Sequence, residues 1–207
     1  MTDWYFTDSS KQKGFQARPV VGGVFIKMLA ADSVWKKWAG RSQKISGTWA
    51  HIPTPPKIDV IEGGPRSDGV VWRYTTSRPG NDWTRINYND RQWKSGPGGF
   101  GTEGTPGAVV RTRWDTSDIY LRREIILSEG TDLKSLQLYV HHDEDVKIFL
   151  NGILAAQAIG FTTDYEPLEI LPAAQAALRP GKNHLAVQCH QTSGGQYIDV
   201  GLVSVGE

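Results

Sequence analysis

The densest group of side chains suited to chemistry is the run His-His-Asp-Glu-Asp from His141 to Asp145. If the run belongs to a strand, Asp143 and Asp145 share one face, and carboxylate oxygens are ligands that calcium prefers. The spacing of an EF-hand loop is absent, however, and no glycine follows to bend the backbone around an ion. The run therefore predicts a loop or strand entry whose charges pair locally or face solvent. His142 and Asp143 are candidates for contacting a ligand, and calcium stays open as the one cofactor to consider.

Catalytic arrangements find little support in the sequence. Cys189 directly precedes His190, but neighbours in a strand point to opposite faces and cannot form the hydrogen bond that an activated thiol needs. Cys189 shares its parity with Val187, which predicts a buried structural thiol. Signatures of the G-x-S-x-G and H-E-x-x-H types are absent, and carboxylates of one strand cannot flank a scissile glycosidic bond. We predict no catalytic residue; the alternative is a hydrolase acting through His142, Asp143 and the distant His190.

Residues 96 to 101 match the dinucleotide-binding pattern G-x-G-x-x-G literally. That pattern holds a pyrophosphate only where a strand precedes it and a helix follows it. Residues 102 to 106 read Thr-Glu-Gly-Thr-Pro and cannot open a regular helix. We therefore interpret the segment as a glycine-rich connection between strands.

Aromatic residues are a further functional hint, because Trp and Tyr combine a large apolar ring with a polar atom. Such rings stack on the C–H faces of sugars, although most of them are expected in the core. Trp83 and Trp114 lie beside predicted turns, where exposure is most plausible. The candidate ligand-binding residues are therefore Trp83, Trp114, His142, Asp143 and Tyr165, and no metal ligand is assigned.

Arg123 falls on the same parity as Leu121 and Ile125 in a predicted strand over residues 118 to 127. Without a bulge its side chain points inward, where a guanidinium needs a carboxylate partner. Asp143 and Asp145 are the candidate partners. A structural ion pair is the favoured interpretation, ahead of a ligand contact.

The predicted secondary structure, which must position these residues, differs between three parts of the chain. Residues 20 to 40 contain apolar i,i+4 pairs and predict a helix, within a helical leader over residues 1 to 40. Residues 41 to 69 are rich in Pro and Gly and predict an irregular connector. From residue 70 onward apolar and polar residues alternate, and Asn151-Gly152 indicates a two-residue hairpin. The sequence thus predicts a mainly β fold, with an antiparallel β-sandwich over residues 70 to 207.

Composition excludes several classes of protein. The 207 residues include 23 Lys+Arg and 22 Asp+Glu, and this near balance supplies no field for holding nucleic acid or an anionic membrane. The single Cys189 excludes an intrachain disulfide and a Cys-based zinc site. No apolar run is long enough to span a membrane, and the first residues lack the features of a signal peptide.

Three groups of residues together carry a family resemblance: residues 89–101 with 118–123, residues 142–152, and residues 178–187 with 194–202. Over roughly residues 70 to 203, the chain resembles galactose-binding-like jelly-roll modules, which include the sugar-binding domain of family-two glycoside hydrolases. The resemblance implies a jelly-roll β-sandwich. Such modules often bind carbohydrate, and many serve only as packing or spacer domains.

Residues 14 to 29 read Gly-Phe-Gln-Ala-Arg-Pro-Val-Val-Gly-Gly-Val-Phe-Ile-Lys-Met-Leu. They are similar to the end of the helical toroid in glutaminase A-like proteins, where a large α/α domain precedes accessory β modules in exported bacterial proteins. This resemblance implies that the chain is the C-terminal piece of a longer, extracytoplasmic protein. The preceding α/α catalytic domain would be its partner, and residues 1 to 40 a remnant of that domain.

These observations predict a non-catalytic accessory module of a larger glutaminase A-like or glycoside-hydrolase-like protein. Its role would be to brace the catalytic domain and to bind glycan through loop-end aromatic and polar groups. The alternative is that the chain itself belongs to the hydrolytic activity, as a glutaminase or glycosidase. A calcium-dependent module is a third possibility.

Overall fold

The computed structural model describes residues 4–8, 13–20, 23–28, 42–45, 48–51, 57–63 and 69–206. The chain divides into two compact units, Met1–Pro56 and Lys57–Glu207. The first unit holds an antiparallel sheet and a hairpin. The sheet comprises β1 (Trp4–Asp8), β2 (Lys13–Val20) and β3 (Gly23–Met28), and the hairpin comprises β4 (Ser42–Ile45) and β5 (Thr48–His51).

The structure corrects the helix predicted over residues 20 to 40, because Gly23–Met28 forms strand β3 and pairs with β2. The physical reason is the run Val24, Phe25 and Ile26, since β-branched and aromatic residues favour a strand over a helix. The apolar i,i+4 pairs in this stretch are therefore a misleading signal. The remainder of the predicted helix, residues 29 to 40, lies outside the described residues, and the origin of residues 1 to 40 in a preceding domain stays a prediction.

The stretch predicted as an irregular connector, residues 41 to 69, contains β4, β5 and β6 (Lys57–Glu62). Strand β6 reads Lys-Ile-Asp-Val-Ile-Glu and pairs antiparallel with the last strand of the chain. Its near alternation of polar and apolar residues is the period of a strand. The strand was not predicted because the Pro and Gly residues around it indicated an irregular connector.

The second unit consists of two six-stranded sheets. Their remaining strands are β7 (Val71–Thr75), β8 (Lys94–Pro97), β9 (Phe100–Gly101), β10 (Thr112–Arg113), β11 (Asp118–Leu127), β12 (Leu136–Asp143), β13 (Asp145–Leu150), β14 (Ile153–Ala158), β15 (Glu166–Glu169), β16 (Gly181–His190) and β17 (Tyr197–Gly206). A short helix, α1 (Pro172–Gln175), follows β15. The first sheet has the order β10-β9-β17-β12-β15, with β6 also on β17, and the second has the order β14-β13-β16-β11-β7-β8.

The pairings within these two sheets are antiparallel, apart from the parallel pair of β9 and β10. The core lies between the sheets and is built from alternate residues of their strands. Leu138 and Val140 of β12 face this core, as do Ile148 of β13 and Val187 of β16. Complete burial of such a side chain contributes about 1.5–3 kcal/mol. The predicted antiparallel β-sandwich is confirmed.

The hairpin predicted at Asn151-Gly152 joins β13 to β14. The φ angles of 51° and 86° at these residues are the two positive values that a type I′ turn requires. Oδ1 of Asn151 also accepts a hydrogen bond of 2.8 Å from the backbone N–H of His184. The turn residue thus ties the hairpin to the neighbouring strand β16.

Four connections gather at one end of the sandwich, called here the sandwich end. Strand β12 leads directly into β13 through Glu144, so β12 finishes where β13 starts. Because β14 and β16 run antiparallel to β13, and β15 and β17 run antiparallel to β12, their connections lie at the same end. Strand β11 starts opposite the last residue of β16, so the residues before β11 lie at this end as well. The sandwich end therefore comprises residues 114–117, 143–145, 159–165 and 191–196.

No helix among the described residues is long and apolar enough to cross a membrane.

Candidate ligand site at the sandwich end

Asp143 closes strand β12 and pairs with Tyr197 of β17 on one side. On its other side it forms an isolated antiparallel bridge with Phe161. Residues directly opposite in such a pair place their side chains on the same face, with Cβ atoms about 4.5–5.5 Å apart. The Asp143 carboxylate and the Phe161 ring therefore share the outer face of the first sheet.

The two side chains differ sharply in exposure. Asp143 is only 6% exposed, whereas 65% of Phe161 is exposed. A group of neighbouring exposed apolar side chains marks a contact surface, and Ile159, two residues before Phe161, is 87% exposed as well. Sequence analysis missed Phe161; the signal available was an aromatic residue directly after Gly160, between strands β14 and β15.

The Asp143 carboxylate makes no hydrogen bond or ion pair among the described residues, although most buried polar groups are paired. Burial raises the pKa of Asp143, the charge of Glu144 raises it further, and His142 lowers it. A β-carbon at Gly195 would lie 2.5 Å from Oδ2 of Asp143. Glycine at this position therefore leaves room for the carboxylate, whose accepting capacity is open to a ligand.

The backbone around Asp143 is fixed by a short network. The amide of Thr162 donates to the carbonyl of His142 over 2.8 Å, and Oγ1 of Thr162 accepts from the amide of His142 over 3.2 Å. Nδ1 of the buried His142 ring lies 2.6 Å from the carbonyl oxygen of Glu144. A carbonyl only accepts, so Nδ1 carries the hydrogen and the ring is committed to this bond. The predicted site residue His142 thus positions the turn that follows Asp143.

Tyr165 lies in the connection of residues 159–165, which also carries Phe161, but its hydroxyl group forms part-buried hydrogen bonds with other side chains. It donates to Oδ2 of Asp199 over 2.7 Å, and its oxygen lies 3.2 Å from the hydroxyl oxygen of Tyr197. Burial raises the pKa of Asp199, which the hydrogen bond from Tyr165 opposes. The rings of Tyr165 and Tyr197 also flank His141, at centroid distances of 5.4 and 4.6 Å. Tyr165 therefore supports the sheet beneath the candidate site.

The exposure assumed for Trp83 and Trp114 is wrong. Trp114 is 1% exposed and belongs to the main core, with its indole N–H donating to Oγ1 of Thr116 over 3.1 Å. Trp83 is 8% exposed and packs edge-on against Tyr120 and Phe149 on the outer face of the second sheet. Trp114 belongs to the core cluster between the sheets, and Arg122 holds the loop that carries Trp83 through its bonds to Asp90 and the Arg85 carbonyl, so both rings pack against protein.

Cys189 is buried, as its parity predicted, and burial raises the pKa of its thiol. His190 instead lies at the surface, with Nδ1 3.1 Å from Oδ1 of Asp118. The two side chains point to opposite faces of β16. Their geometry does not form a nucleophile–base pair.

Arg123 points into the sandwich, as its parity predicted, and its guanidinium lies 4.9 Å from the ring centre of Trp72. Burial raises the pKa of Asp199, and the positive charge of Arg123 is one of the effects that oppose this rise. Arg123 lies near the middle of β11, opposite Leu185, whereas Asp145 lies at the start of β13, opposite His190. The pairing of Arg123 with Asp143 or Asp145 stays a prediction.

Within the described ranges no group of three or more His, Cys, Asp or Glu side chains is arranged to hold a metal ion. Oδ1 of Asp145 instead accepts the backbone N–H of Gly160 over 2.9 Å.

Comparison with known proteins finds no matching family model and no matching curated protein. Among solved structures, the chain is similar to a β-glucuronidase from glycoside hydrolase family 2, with a TM-score of 0.47 and 15% identity over 74% of this chain and 18% of that one. A Bacteroides uniformis β-glucuronidase gives a TM-score of 0.48 and 17% identity, over 73% and 18%. A Ruminococcus gnavus β-glucuronidase gives 0.46 and 9%, over 73% and 29%. The chain thus spans less than a third of each of these enzymes.

Proposed function

We propose that this chain is a non-catalytic accessory module of a larger glycoside-hydrolase-like or glutaminase A-like protein, and that it binds carbohydrate at the sandwich end. The ring of Phe161 stacks on the C–H face of a sugar, and the Asp143 carboxylate accepts hydrogen bonds from its hydroxyls. The observation that carries this proposal is an exposed aromatic ring beside a carboxylate that has no hydrogen-bond partner among the described residues. Extracytoplasmic location belongs to the same proposal.

The geometry of the candidate acid–base groups supports a binding role over hydrolysis. A general base must reach the proton that it abstracts, and a second group must orient it. His142 is buried, with Nδ1 bonded to the Glu144 carbonyl, whereas His190 lies at the surface with Nδ1 near Asp118. In the described part of the chain no hydrogen bond joins His142, Asp143 and His190 to one another, so the set of the alternative hydrolase does not form an acid–base pair.

Bracing of a neighbouring domain is a second proposed role, favoured by a different surface. Strand β6 lies at the edge of the first sheet and leaves Ile58, Val60 and Ile61 exposed. Exposed apolar side chains on an edge strand mark a surface that pairs or packs with another body. Both roles are compatible, because β6 and Phe161 belong to different parts of the sandwich.

A glycan array of plant and mucin saccharides, followed by calorimetry with the strongest binder, tests the carbohydrate proposal. Phe161→Ala is expected to weaken binding at least about tenfold, since fully burying a Phe side chain contributes about 1.5–3 kcal/mol. Ile126→Ala is the matched control, because Ile126 is an exposed apolar residue near the opposite end of β11. Absence of binding to every saccharide, or equal binding by Phe161→Ala, would contradict the proposal.

A further inference from the structure

The sandwich end carries an excess of negative charge. Its residues include neither lysine nor arginine but five carboxyl groups, those of Asp115, Asp143, Glu144, Asp145 and Asp164. Asp115 has a cationic partner, because Nε of Arg113 lies 3.0 Å from its Oδ2 atom. The other four carboxyl groups form no ion pair within the part of the chain that the structure describes. The field at this end therefore attracts a cation.

Hydrogen bonds leave this charge in place, because their donors are neutral. Oδ1 of Asp145 accepts the backbone N–H of Gly160 over 2.9 Å, and Oδ1 of Asp164 accepts a backbone N–H over 2.8 Å. Glu144 accepts the hydroxyl hydrogen of Thr192. Hydrogen bonds to a carboxylate stabilise its charged form. These three groups therefore stay anionic at the sandwich end.

Asp143 differs from these three groups, because it is 6% exposed and has no donor among the described residues. Burial raises its pKa, the charge of Glu144 raises that pKa further, and His142 opposes both effects. No lysine or arginine of the described ranges is among the charges that act on it. A bound cation would relieve both costs, because it would stabilise the charged carboxylate and offset the charge of Glu144. A neutral hydroxyl would relieve them less, since hydrogen bonds between two ionised groups are the stronger ones.

An apolar surface lies beside this carboxylate. Phe161 stands opposite Asp143 in their bridge and is 65% exposed, and Ile159 of the same connection is 87% exposed. A flexible amine chain would satisfy the carboxylate but would lose much conformational freedom on binding. A pyranose ring with an amino group offers both a cation and a rigid C–H face. The groups at the sandwich end therefore fit an amino sugar.

We infer that the sandwich end binds an amino sugar whose ammonium group donates to the Asp143 carboxylate. The inference rests on the proposed carbohydrate function and narrows its ligand to a saccharide with free amino groups. The ring of Phe161 packs against the C–H face of the same sugar unit. The charges of Glu144, Asp145 and Asp164 add an attraction that salt screens.

The test is calorimetry of the full chain with three β-1,4-linked tetrasaccharides that differ only in the group on C2 of each sugar. Tetraglucosamine carries an ammonium there, chitotetraose an acetamide and cellotetraose a hydroxyl, at about pH 6, where such amines are protonated. Tetraglucosamine is expected to bind about tenfold more tightly than the two neutral saccharides. Added salt is expected to reduce this preference. Tetralysine measures binding by charge alone.

Asp143→Asn is expected to weaken the binding of tetraglucosamine about tenfold and that of cellotetraose much less. Asparagine keeps the shape of the side chain and removes its charge. Glu129→Gln is the matched control, because it removes one negative charge from an exposed residue in the turn after β11, at the opposite end of the sandwich. We expect this control to bind as wild type does. Thermal melts of both variants check that they fold, and the comparison of the three saccharides on wild type stands without them.

The outcomes separate this inference from the proposed function. If the neutral saccharides bind in a Phe161-dependent way and tetraglucosamine is not preferred, the amino-sugar inference is wrong and the carbohydrate function stands. Wild-type binding of tetraglucosamine by Asp143→Asn would also overturn the inference. The same holds if tetralysine binds as tightly as tetraglucosamine, because charge alone would then suffice. If no saccharide binds, both the inference and the carbohydrate function fail.

Discussion

Tyr165 donates its hydroxyl hydrogen to Oδ2 of Asp199 over 2.7 Å. Tyr165 lies in the connection before β15, whereas Asp199 lies in β17. Burial disfavours the charged form of Asp199, and this bond, together with the backbone N–H of Val200, offsets part of that cost. The pair supports the strands that carry Asp143 and the connection that carries Phe161. It links the stability of the sheet to the geometry of the candidate site.

Tyr165→Phe is expected to lower the free energy of unfolding by about 1–3 kcal/mol, because it leaves a buried carboxylate without its side-chain donor. Urea unfolding at neutral pH measures the change. Tyr88→Phe is the control, since Tyr88 packs by its ring against Trp93 and has no hydroxyl hydrogen bond among the described residues. We expect that control to stay within about 0.5 kcal/mol of wild type. Equal losses in the two variants would contradict the role assigned to the Tyr165 hydroxyl.

We expect the free energy of unfolding to fall in mild acid because of His184. Burial lowers the pKa of His184 to about 4, the charge of Arg122 lowers it too, and Asp90 and Glu124 oppose these effects. The unfolded chain therefore binds a proton near pH 6.5 that the folded chain binds only near pH 4. The stability contributed by neutral His184 is present above pH 6.5 and is lost as the pH falls toward 4.

Urea unfolding of wild type and His184→Gln at about pH 7 and about pH 4.5 checks this expectation. Glutamine does not titrate, so the variant is expected to lose about 1–3 kcal/mol less than wild type across this interval, a range that allows for partial exposure. Equal losses would show that His184 titrates with its ordinary pKa in the folded protein.

Gly195→Ala tests whether the space around Asp143 matters for binding. The added β-carbon would lie 2.5 Å from Oδ2 of Asp143 and 3.1 Å from Cγ2 of Thr105, so the carboxylate must move. We expect saccharide binding to weaken severalfold by calorimetry, with little change in melting temperature, because the displaced atom is the end of a side chain. Gly130→Ala, where a β-carbon meets no atom within 4 Å, is the control. Unchanged binding in Gly195→Ala would count against Asp143 as a ligand group.

Cys189 is expected to resist thiol reagents in the folded protein. Its side chain is buried and burial raises the pKa of the thiol, so little thiolate is accessible. Modification by a colourimetric disulfide reagent should be slow in buffer and rapid in concentrated urea. Rapid reaction of the native protein would contradict the assignment of Cys189 as a buried structural thiol.

The strands and their faces were predictable where the alternation was strict. The alternation of Leu136, Leu138 and Val140 fixes the inner face of β12 and leaves Asp143 on the outer face at the strand end. The positive φ angles of Asn151 and Gly152 follow directly from the residue types that a type I′ turn accepts. These local rules suffice because period and turn chemistry act over a few residues.

The long-range parts of the site were not predictable in the same way. Phe161 becomes significant only when its connection returns to β12 and pairs with Asp143. Trp83 is covered because Arg122 reaches across to the carbonyl of Arg85 over 3.1 Å and holds that loop against the sheet. Which aromatic ring is exposed depends on such contacts between distant residues, whereas proximity to a turn carries no such information.

The central claim is that Asp143 and Phe161 form the carbohydrate site. Backbone amide NMR of the isotope-labelled chain, titrated with the strongest saccharide from the glycan array, tests it most directly. We expect the largest chemical-shift changes at Asp143, Phe161, Thr162 and Gly195. Large changes confined to residues near the opposite end of the sandwich, such as Ile126, would contradict the claim.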